Sequence, residues 1–481
     1  MLLDIGMDLL DINRQLKKIS LKCKNLSDIF LYVLIILFTF ATYKTIKHTN
    51  MKALRTLTSV VFAMMALAAN AQEGTWNGEL NVMGNKVPLV FNFSTNGCTI
   101  DSPSQGVNGI QAEKTVKDDG TISVKVGMIG ATFEGKMTDG EIKGTYVQNG
   151  FPLPLTLKPG KLVVKRPQTP VPPFPYKEES VSFTNAQYTF NGTLTLPENY
   201  SKNTPVVLMV TGSGQQDRDE ELFSHKPFAV IADALARQGI ASLRYDDRGW
   251  GDKSVNFADF TTDDFRQDAA AALPLLRKRF NKVGILGHSE GGTIAMMLAA
   301  EGKADFIVSL AGMAISGKET LIMQNRQAMS AIGLPKETVD SYCNSISKAL
   351  DEIASGKKAS EINIDDVPVA LKPITIKALQ QADTPYIRHF LTVDVGKLLP
   401  KIKCPVLALN GTKDTQVDCD ANTTRIEKGL ANCKHSIKKI DGVNHMFQHC
   451  NTGIVTEYQQ IEETIAPEVL QVVAKWIKSE S

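Results

Sequence analysis

From residue 176 to the C-terminus, short apolar runs alternate with stretches of helical periodicity. Several of the runs are continuously apolar, as expected of strands that are covered on both faces. Strands that alternate with helices indicate βαβ units and a mostly parallel sheet. The predicted strands are residues 192–196, 206–210, 241–245, 283–286, 306–310, 406–409 and 436–440.

The preceding part of the chain, residues 72–165, has a different pattern. Apolar and polar residues alternate there with a period of two, and glycine or asparagine interrupts the pattern about every ten residues. This pattern predicts a small all-β sandwich or barrel. The proline-rich segment 166–176 then predicts a stiff linker and a domain boundary, because proline at this density prevents helix and inner-strand formation. The α/β domain is expected to occupy residues 177–481.

Between about residues 316 and 400 the strand–helix alternation gives way to polar sequence with helical periodicity. We interpret this segment as a helical cap inserted over the site. The alternative is a surface insertion with no part in binding.

The N-terminal region carries a targeting signal at an unusual position. Residues 51–71 have a basic start, an apolar centre and the small-residue cleavage site Ala69-Asn70-Ala71, which together predict a secretory signal peptide. We interpret residues 1–50 as a mis-called start, with translation beginning at Met51. The alternative is a retained membrane anchor at residues 29–42, although this apolar run is shorter than a comfortable bilayer span. The predicted location is therefore periplasmic or extracellular.

Charge and cysteine content exclude some classes of protein. The 481 residues carry 53 Lys and Arg against 51 Asp and Glu, so no general field attracts nucleic acid. The cysteines lack a C-x-x-C pair and metal-ligand spacing, so we predict no metal site. Cys419 follows the candidate site residue Asp414 by the same interval as Cys450 follows the candidate site residue His445. If Asp414 and His445 meet, the two cysteines could also lie close enough to form a disulfide, which we state as a hypothesis.

The hexapeptide Gly-His-Ser-Glu-Gly-Gly at residues 287–292 directly follows a predicted strand and precedes the small, apolar segment 293–300. Strand, sharp turn and buried helix are the context of a nucleophile elbow, in which small residues must flank the nucleophile. The motif predicts Ser289 as the nucleophile of a serine hydrolase. The alternative is a glycine-rich turn in which the serine only caps a helix.

A serine nucleophile needs a general base and a carboxylate that orients the base. Asp414 follows the predicted strand 406–409, and His445 lies in the loop after the last strand. The carboxyl ends of parallel strands are where such sheets assemble their sites. We therefore predict the triad Ser289, Asp414 and His445, in the chain order typical of α/β-hydrolases.

Four other residues are weaker candidates for the triad. Asp418 and Asp420 lie farther beyond the strand end and are more simply explained as solvated turn carboxylates. His449 is predicted to lie in a helix after the loop. His288 precedes the nucleophile and is expected to point away from it, in a packing or hydrogen-bonding role.

The tetrahedral oxyanion needs two preorganised amide donors. One is predicted to be the backbone N–H of Glu290, directly after the nucleophile. The second is expected in the loop after strand 206–210, where the amide of Ser213 is favoured and that of Gly214 is the alternative. A plain glycine-rich turn would also explain this loop.

Several sequence motifs, in their order along the chain, resemble those of the bacterial esterase D-type α/β-hydrolases. These enzymes are related to serine aminopeptidases and to acylaminoacyl-peptidase catalytic domains. The resemblance covers residues 177–481. It rests on the segments 211–214, 217–220, 244–254, 287–292 and 444–447.

The resemblance implies hydrolysis of carboxylic esters with short or medium acyl groups. It also suggests that Asp217, Arg218 and Arg248 form a buried network that braces the oxyanion loop, where the alternative is a set of surface salt bridges. The chain departs from many relatives of the wider fold at Thr211, where those relatives have histidine.

The sequence thus predicts an exported carboxylesterase that acts through an acyl-enzyme on Ser289 and needs neither metal nor organic cofactor. A serine peptidase of the aminopeptidase or acylaminoacyl type is the alternative, and Glu290 is an acidic candidate for recognising a peptide amino terminus. A remote alternative is a non-catalytic binding protein. The expected partner is a small acyl ester or peptide, and the sequence leaves the oligomeric state open.

Overall fold

The computed structural model describes residues 73–82, 85–95, 97–103, 107–148, 150–161, 165–331 and 333–480. The predicted signal peptide at 51–71, the leader 1–50 and its apolar run 29–42 lie outside the described residues. Within the described ranges, no helix is both long enough and apolar enough to cross a membrane.

The N-terminal β-region is a closed barrel of eight strands, which decides between the two predicted architectures. Side chains alternate between the interior and the surface, as in the strand Ala131–Thr138. The interior is filled with apolar side chains, and the rings of Phe91 and Phe133 lie 5.4 Å apart. The strands are β1 Gly74–Val82, β2 Asn85–Ser94, β3 Gly97–Ser102, β4 Val107–Val116, β5 Ile122–Val126, β6 Ala131–Thr138, β7 Glu141–Gln148 and β8 Phe151–Pro159.

The C-terminal part contains a second sheet of eight strands. These are β9 Tyr176–Asn185, β10 Tyr188–Pro197, β11 Val206–Val210, β12 Ala241–Tyr245, β13 Val283–His288, β14 Ile307–Leu310, β15 Val406–Gly411 and β16 His435–Ile440. Their order in the sheet is β16-β15-β14-β13-β11-β12-β10-β9. β9 and β10 form an antiparallel hairpin, and β10 pairs antiparallel with β12. The pairs among β11–β16 are parallel.

The order of strands explains where a site can form. The chain crosses from β11 to β12 on one side and returns to β13 on the other side, so loops diverge at the carboxyl end of β11. Ligands of open α/β sheets bind at such a switch point. Every residue of β11–β15 is buried, as the continuous apolar runs predict. The predicted fold class is therefore confirmed.

Helices cover both faces of this sheet. The helices outside the insertion are α1 Pro227–Arg237, α2 Thr262–Arg277, α3 Glu290–Ala300, α8 Cys419–Gly429, α9 Val455–Tyr458 and α10 Pro467–Ser479. Side chains of α1 and α10 pack into the core on one face, and side chains of α2, α3 and α8 pack into the core on the opposite face.

The insertion between β14 and β15 is helical, as the sequence predicts. Its helices are α4 Gly317–Ala331, α5 Lys336–Ala354, α6 Lys372–Ala382 and α7 Pro385–Phe390. It has an apolar core of its own, built around Tyr342, Ile346, Leu350 and Leu379. An insertion with its own core can hold side chains over the sheet in fixed positions.

The proline-rich segment after the barrel packs on the α/β domain at its first residues. The Arg166 guanidinium donates hydrogen bonds to the carbonyl oxygens of Phe223, Gln459 and Ile461 at 2.8–2.9 Å. The side-chain amide of Gln168 donates to the carbonyl oxygen of Ile465 at 2.7 Å. These hydrogen bonds attach the start of the proline-rich segment to the α/β domain, whereas its composition predicts only that the segment is stiff.

Candidate active site

Ser289 occupies a sharp turn between β13 and α3. Its backbone has φ 53° and ψ −121°, a conformation that a non-glycine residue adopts only when its surroundings enforce it. Close packing of the backbone around the turn enforces this conformation. A Cβ on Gly287 would lie 2.0 Å from the carbonyl oxygen of Gly291, and a Cβ on Gly291 would lie 2.0 Å from that of Val210. The two glycines therefore allow the backbone approach that exposes Ser289.

Asp414 and His445 are joined by a hydrogen bond. His445 Nδ1 lies 2.7 Å from Asp414 Oδ2, and both residues are buried. The second carboxylate oxygen of Asp414 accepts the backbone N–H groups of Gln416 and Val417, each at 2.8 Å. A carboxylate held at both oxygens can fix the orientation of the imidazole ring.

A second buried acid–histidine pair, Glu220 and His288, lies next to the elbow. Glu220 Oε1 is 3.0 Å from His288 Nδ1 and accepts the backbone N–H of Gly212 at 2.6 Å. The opposite ring nitrogen of His288 lies 3.0 Å from the carbonyl oxygen of His445. Burial opposes charge on His288, but the Glu220 carboxylate and these hydrogen bonds outweigh it and raise the pKa of His288. The pair thereby connects the loop after β11, the elbow and the loop that carries His445.

Asp217, Arg218 and Arg248 do not form the single network that the family resemblance suggests, because each has separate partners, and of the three only Arg218 braces the loop after β11 through an ion pair. Arg218 donates from Nε to Asp246 at 3.0 Å, and Arg248 makes a bidentate contact with the buried Asp268 at 2.8 and 2.9 Å. The carboxylate of Asp217, by contrast, accepts backbone N–H groups within its own loop.

Thr211, where many relatives of the wider fold have histidine, is held by hydrogen bonds to a neighbouring carboxyl group. Its hydroxyl donates to Asp247 at 2.9 Å, and the same carboxyl accepts the backbone N–H of Gln216 at 2.8 Å. Burial raises the pKa of Asp247 well above its ordinary value. Thr211 thus anchors the start of the loop through its side chain.

Glu290 is buried, and its carboxylate has two hydroxyl partners. Oε1 accepts from the hydroxyl of Thr262 at 2.6 Å, and Oε2 accepts from Tyr386 at 2.5 Å. Both oxygens are therefore occupied inside the protein. This arrangement does not favour the idea that Glu290 recognises a peptide amino terminus.

A cavity of about 300 Å³ brings several predicted site residues together. Ser289, His445 and Ser213 line it, and Asp414 lies behind His445. Neither Glu290 nor Gly214 is among the described residues that line the cavity, although each directly follows one that does. The cap supplies part of the wall from α4 and α7, through Leu321, Gln324, Tyr386, Ile387 and Phe390.

The weaker triad candidates have other partners. Asp418 caps α8 by accepting the backbone N–H of Ala421, and Asp420 forms an exposed ion pair with Lys439. His449 lies between two glutamates at the surface.

The cysteines and potential metal ligands form no further centre in the described part of the chain. Cys419 and Cys450 are free thiols, so the suggested disulfide is not formed. Among the residues that the structure describes, no group of three or more His, Cys, Asp or Glu side chains could hold a metal ion.

Two residues at this site were not identified from the sequence. Glu220 belongs to the segment 217–220 that carried the family resemblance, but nothing in its spacing pointed to His288. Tyr386 lies in the cap, 96 residues after Glu290 along the chain, and its position depends on how the cap packs.

The sheet topology, the elbow at Ser289 and the Asp414–His445 pair are those of the α/β-hydrolase fold. Residues 224–449 match the family model described as serine aminopeptidase, S33. The resemblance to this family and to esterase D is confirmed, and the comparisons support hydrolase activity.

Two relatives illustrate the similarity. Esterase EstD of Thermotoga maritima is 28% identical over 305 residues, which cover 62% of this chain and 68% of that protein. Serine hydrolase BPHL of Homo sapiens is 25% identical over 252 residues, which cover 49% of this chain and 72% of that protein. Among solved structures, Est1E from Butyrivibrio proteoclasticus matches with 16% identity and a TM-score of 0.38, covering 63% of this chain and 98% of that chain.

Proposed function

We propose that the protein is an exported serine hydrolase that cleaves carboxylic esters through an acyl-enzyme on Ser289. The observation that carries this proposal is the buried Asp414–His445 hydrogen bond at a cavity that is also lined by Ser289 on its strained elbow. These are the groups that nucleophilic acyl transfer requires.

In the proposed reaction, His445 accepts the proton of Ser289 as its Oγ attacks the ester carbonyl. Asp414 holds the imidazole ring and stabilises the imidazolium. The amides of Glu290 and Ser213 stabilise the oxyanion, with Gly214 as the alternative to Ser213. His445 then protonates the leaving alcohol, and a water molecule activated by the same histidine releases the acid.

The similarity to an esterase supports ester substrates, and so does the occupied carboxylate of Glu290. A serine peptidase of the aminopeptidase or acylaminoacyl type is the second candidate, because the matching family model describes a serine aminopeptidase. The cavity volume and its apolar cap side chains suit a small acyl group.

Turnover of p-nitrophenyl acyl esters and of aminoacyl-p-nitroanilides distinguishes the two candidates. We expect faster ester cleavage that is lost in Ser289→Ala. Faster cleavage of the anilides would favour the peptidase. A wild type without activity on either substrate set would favour the remote alternative, a non-catalytic binding protein.

Export is proposed from residues 51–71 alone, with a periplasmic or extracellular location. Mass spectrometry of the protein purified from its native host would test it. We expect a mature N-terminus at Gln72, directly after the predicted cleavage site. An N-terminus before Met51 would instead support the membrane anchor at residues 29–42.

A further inference from the structure

The cap contributes one polar side chain that reaches past the cavity wall to the elbow. Tyr386, on α7, is buried, and its hydroxyl donates to Glu290 Oε2 at 2.5 Å. Its ring packs edge-on against Phe257, with the ring centres 4.7 Å apart. Because the ring and the hydroxyl are both held, Tyr386 has a defined position relative to the first turn of α3.

Tyr386 and Ser213, which lies in the loop after β11, both line the cavity. Burial and the Glu290 carboxylate raise the pKa of Tyr386 well above its ordinary value, and a hydrogen bond with the Ser213 side chain opposes this shift. The phenol therefore remains a neutral donor at physiological pH. It donates to the Glu290 side chain and lines the cavity together with Ser213. The backbone amides of Glu290 and Ser213 are the proposed oxyanion donors.

We propose that Tyr386 is a positioning residue that fixes the geometry of the oxyanion hole from the cap. This inference rests on the proposed function. It gives the cap a role in the chemical step as well as in lining the cavity. The alternative for Tyr386 is a contribution to the cavity wall alone.

The physical reason lies in the Glu290 carboxylate. A buried carboxylate needs hydrogen-bond donors, and Thr262 and Tyr386 supply one to each oxygen. Without the Tyr386 hydroxyl, Glu290 would move towards water or another donor and would shift the first turn of α3. Catalysis by amide donors depends on their position at the developing oxyanion, so a small displacement lowers the rate.

Tyr386→Phe tests the proposal because it removes the hydroxyl and keeps the ring. We expect kcat for a short p-nitrophenyl ester to fall roughly tenfold, less than the loss of a whole oxyanion donor. KM should stay within about twofold. A trifluoromethyl ketone, which forms an oxyanion on the nucleophile, should bind weaker by the same factor as kcat/KM.

Tyr342→Phe is the matched control. Tyr342 is a buried cap tyrosine whose hydroxyl donates to Asn325 at 3.2 Å, within the cap. We expect it to leave kcat and ketone binding unchanged. Thermal unfolding of both variants shows whether each is folded at the assay temperature.

A double-mutant cycle with Glu290→Ala, which removes both carboxylate acceptors, gives a second readout. If Tyr386 acts through Glu290, Tyr386→Phe should have a much smaller effect in the Glu290→Ala background. A change in KM alone, or equal effects in both backgrounds, would overturn the inference. An inactive wild type would remove the proposed function instead, so the two failures are distinguishable.

Discussion

Replacing Glu220 by glutamine tests whether the buried pair with His288 holds the site together. The carboxylate of Glu220 is 4% exposed and contacts both His288 Nδ1 and the N–H of Gly212. Glutamine has nearly the same shape and can still accept the Gly212 N–H. The substitution therefore removes the charge and little else.

The expected loss of stability follows from the burial of the pair. Breaking a buried ion pair by removing one partner costs about 3–5 kcal/mol, and the retained acceptor places Glu220→Gln at the lower end. A loss of about 3 kcal/mol in a domain of this size lowers Tm by roughly 4–6 °C. We also expect kcat to fall about tenfold or more, because an uncharged glutamine holds His288, and through it the His445 carbonyl, less firmly.

The pH dependence has a definite sign. The folded-state pKa of His288 is raised, so the pair contributes fully below the unfolded pKa of about 6.5. Its contribution is lost as the pH rises through the folded value. The difference between wild type and Glu220→Gln should therefore be larger at pH 6 than at alkaline pH.

Thermal unfolding and ester turnover at several pH values provide the assay, with Glu427→Gln as the matched control. Glu427 also pairs with a histidine, His435, at 3.5 Å, but it is 62% exposed, so its loss should cost under about 1 kcal/mol. If Glu220→Gln behaves like this control in Tm and kcat, the reasoning about the buried pair is wrong.

Three further outcomes are expected. Asp414→Asn should reduce kcat by roughly 10³–10⁴ with little change in KM, because His445 would lose the carboxylate that orients it; steady-state kinetics checks this. Gly291→Ala should yield little folded protein, since its Cβ would lie 2.0 Å from the carbonyl oxygen of Val210; circular dichroism and soluble yield would show it. Desolvation lowers the pKa of buried His225 to about 4. Because the unfolded chain binds this proton more tightly, the free energy of unfolding should decrease as the pH falls from about 6.5 to 4, by about 2 kcal/mol at pH 5. Urea unfolding of His225→Gln should show a weaker decline over that range.

The fold class could be predicted because its determinants are local. The run of β11 and residues 283–286 of β13 are wholly buried and are therefore continuously apolar in sequence. The edge strand β9 was not predicted, because its pattern mixes buried, half-buried and exposed positions next to the proline-rich segment. An edge strand has less apolar patterning for the sequence to reveal.

The positions of Ser289, Asp414 and His445 follow from the same logic, since residues just beyond parallel strands meet at one edge of the sheet. Contacts that depend on packing could not be predicted in this way. Tyr386 meets Glu290 only through the placement of α7, and Glu220 meets His288 through a loop whose conformation is set by buried charges. Such pairs have no fixed spacing along the chain.

We propose Ser289 as the nucleophile of this hydrolase. Intact-mass and peptide mass spectrometry of the protein after treatment with a fluorophosphonate tests this assignment. We expect a single adduct on Ser289 in the wild type, no adduct in Ser289→Ala, and parallel loss of ester turnover. An unlabelled wild type, or an adduct that persists on another residue in Ser289→Ala, would show that Ser289 is not the nucleophile.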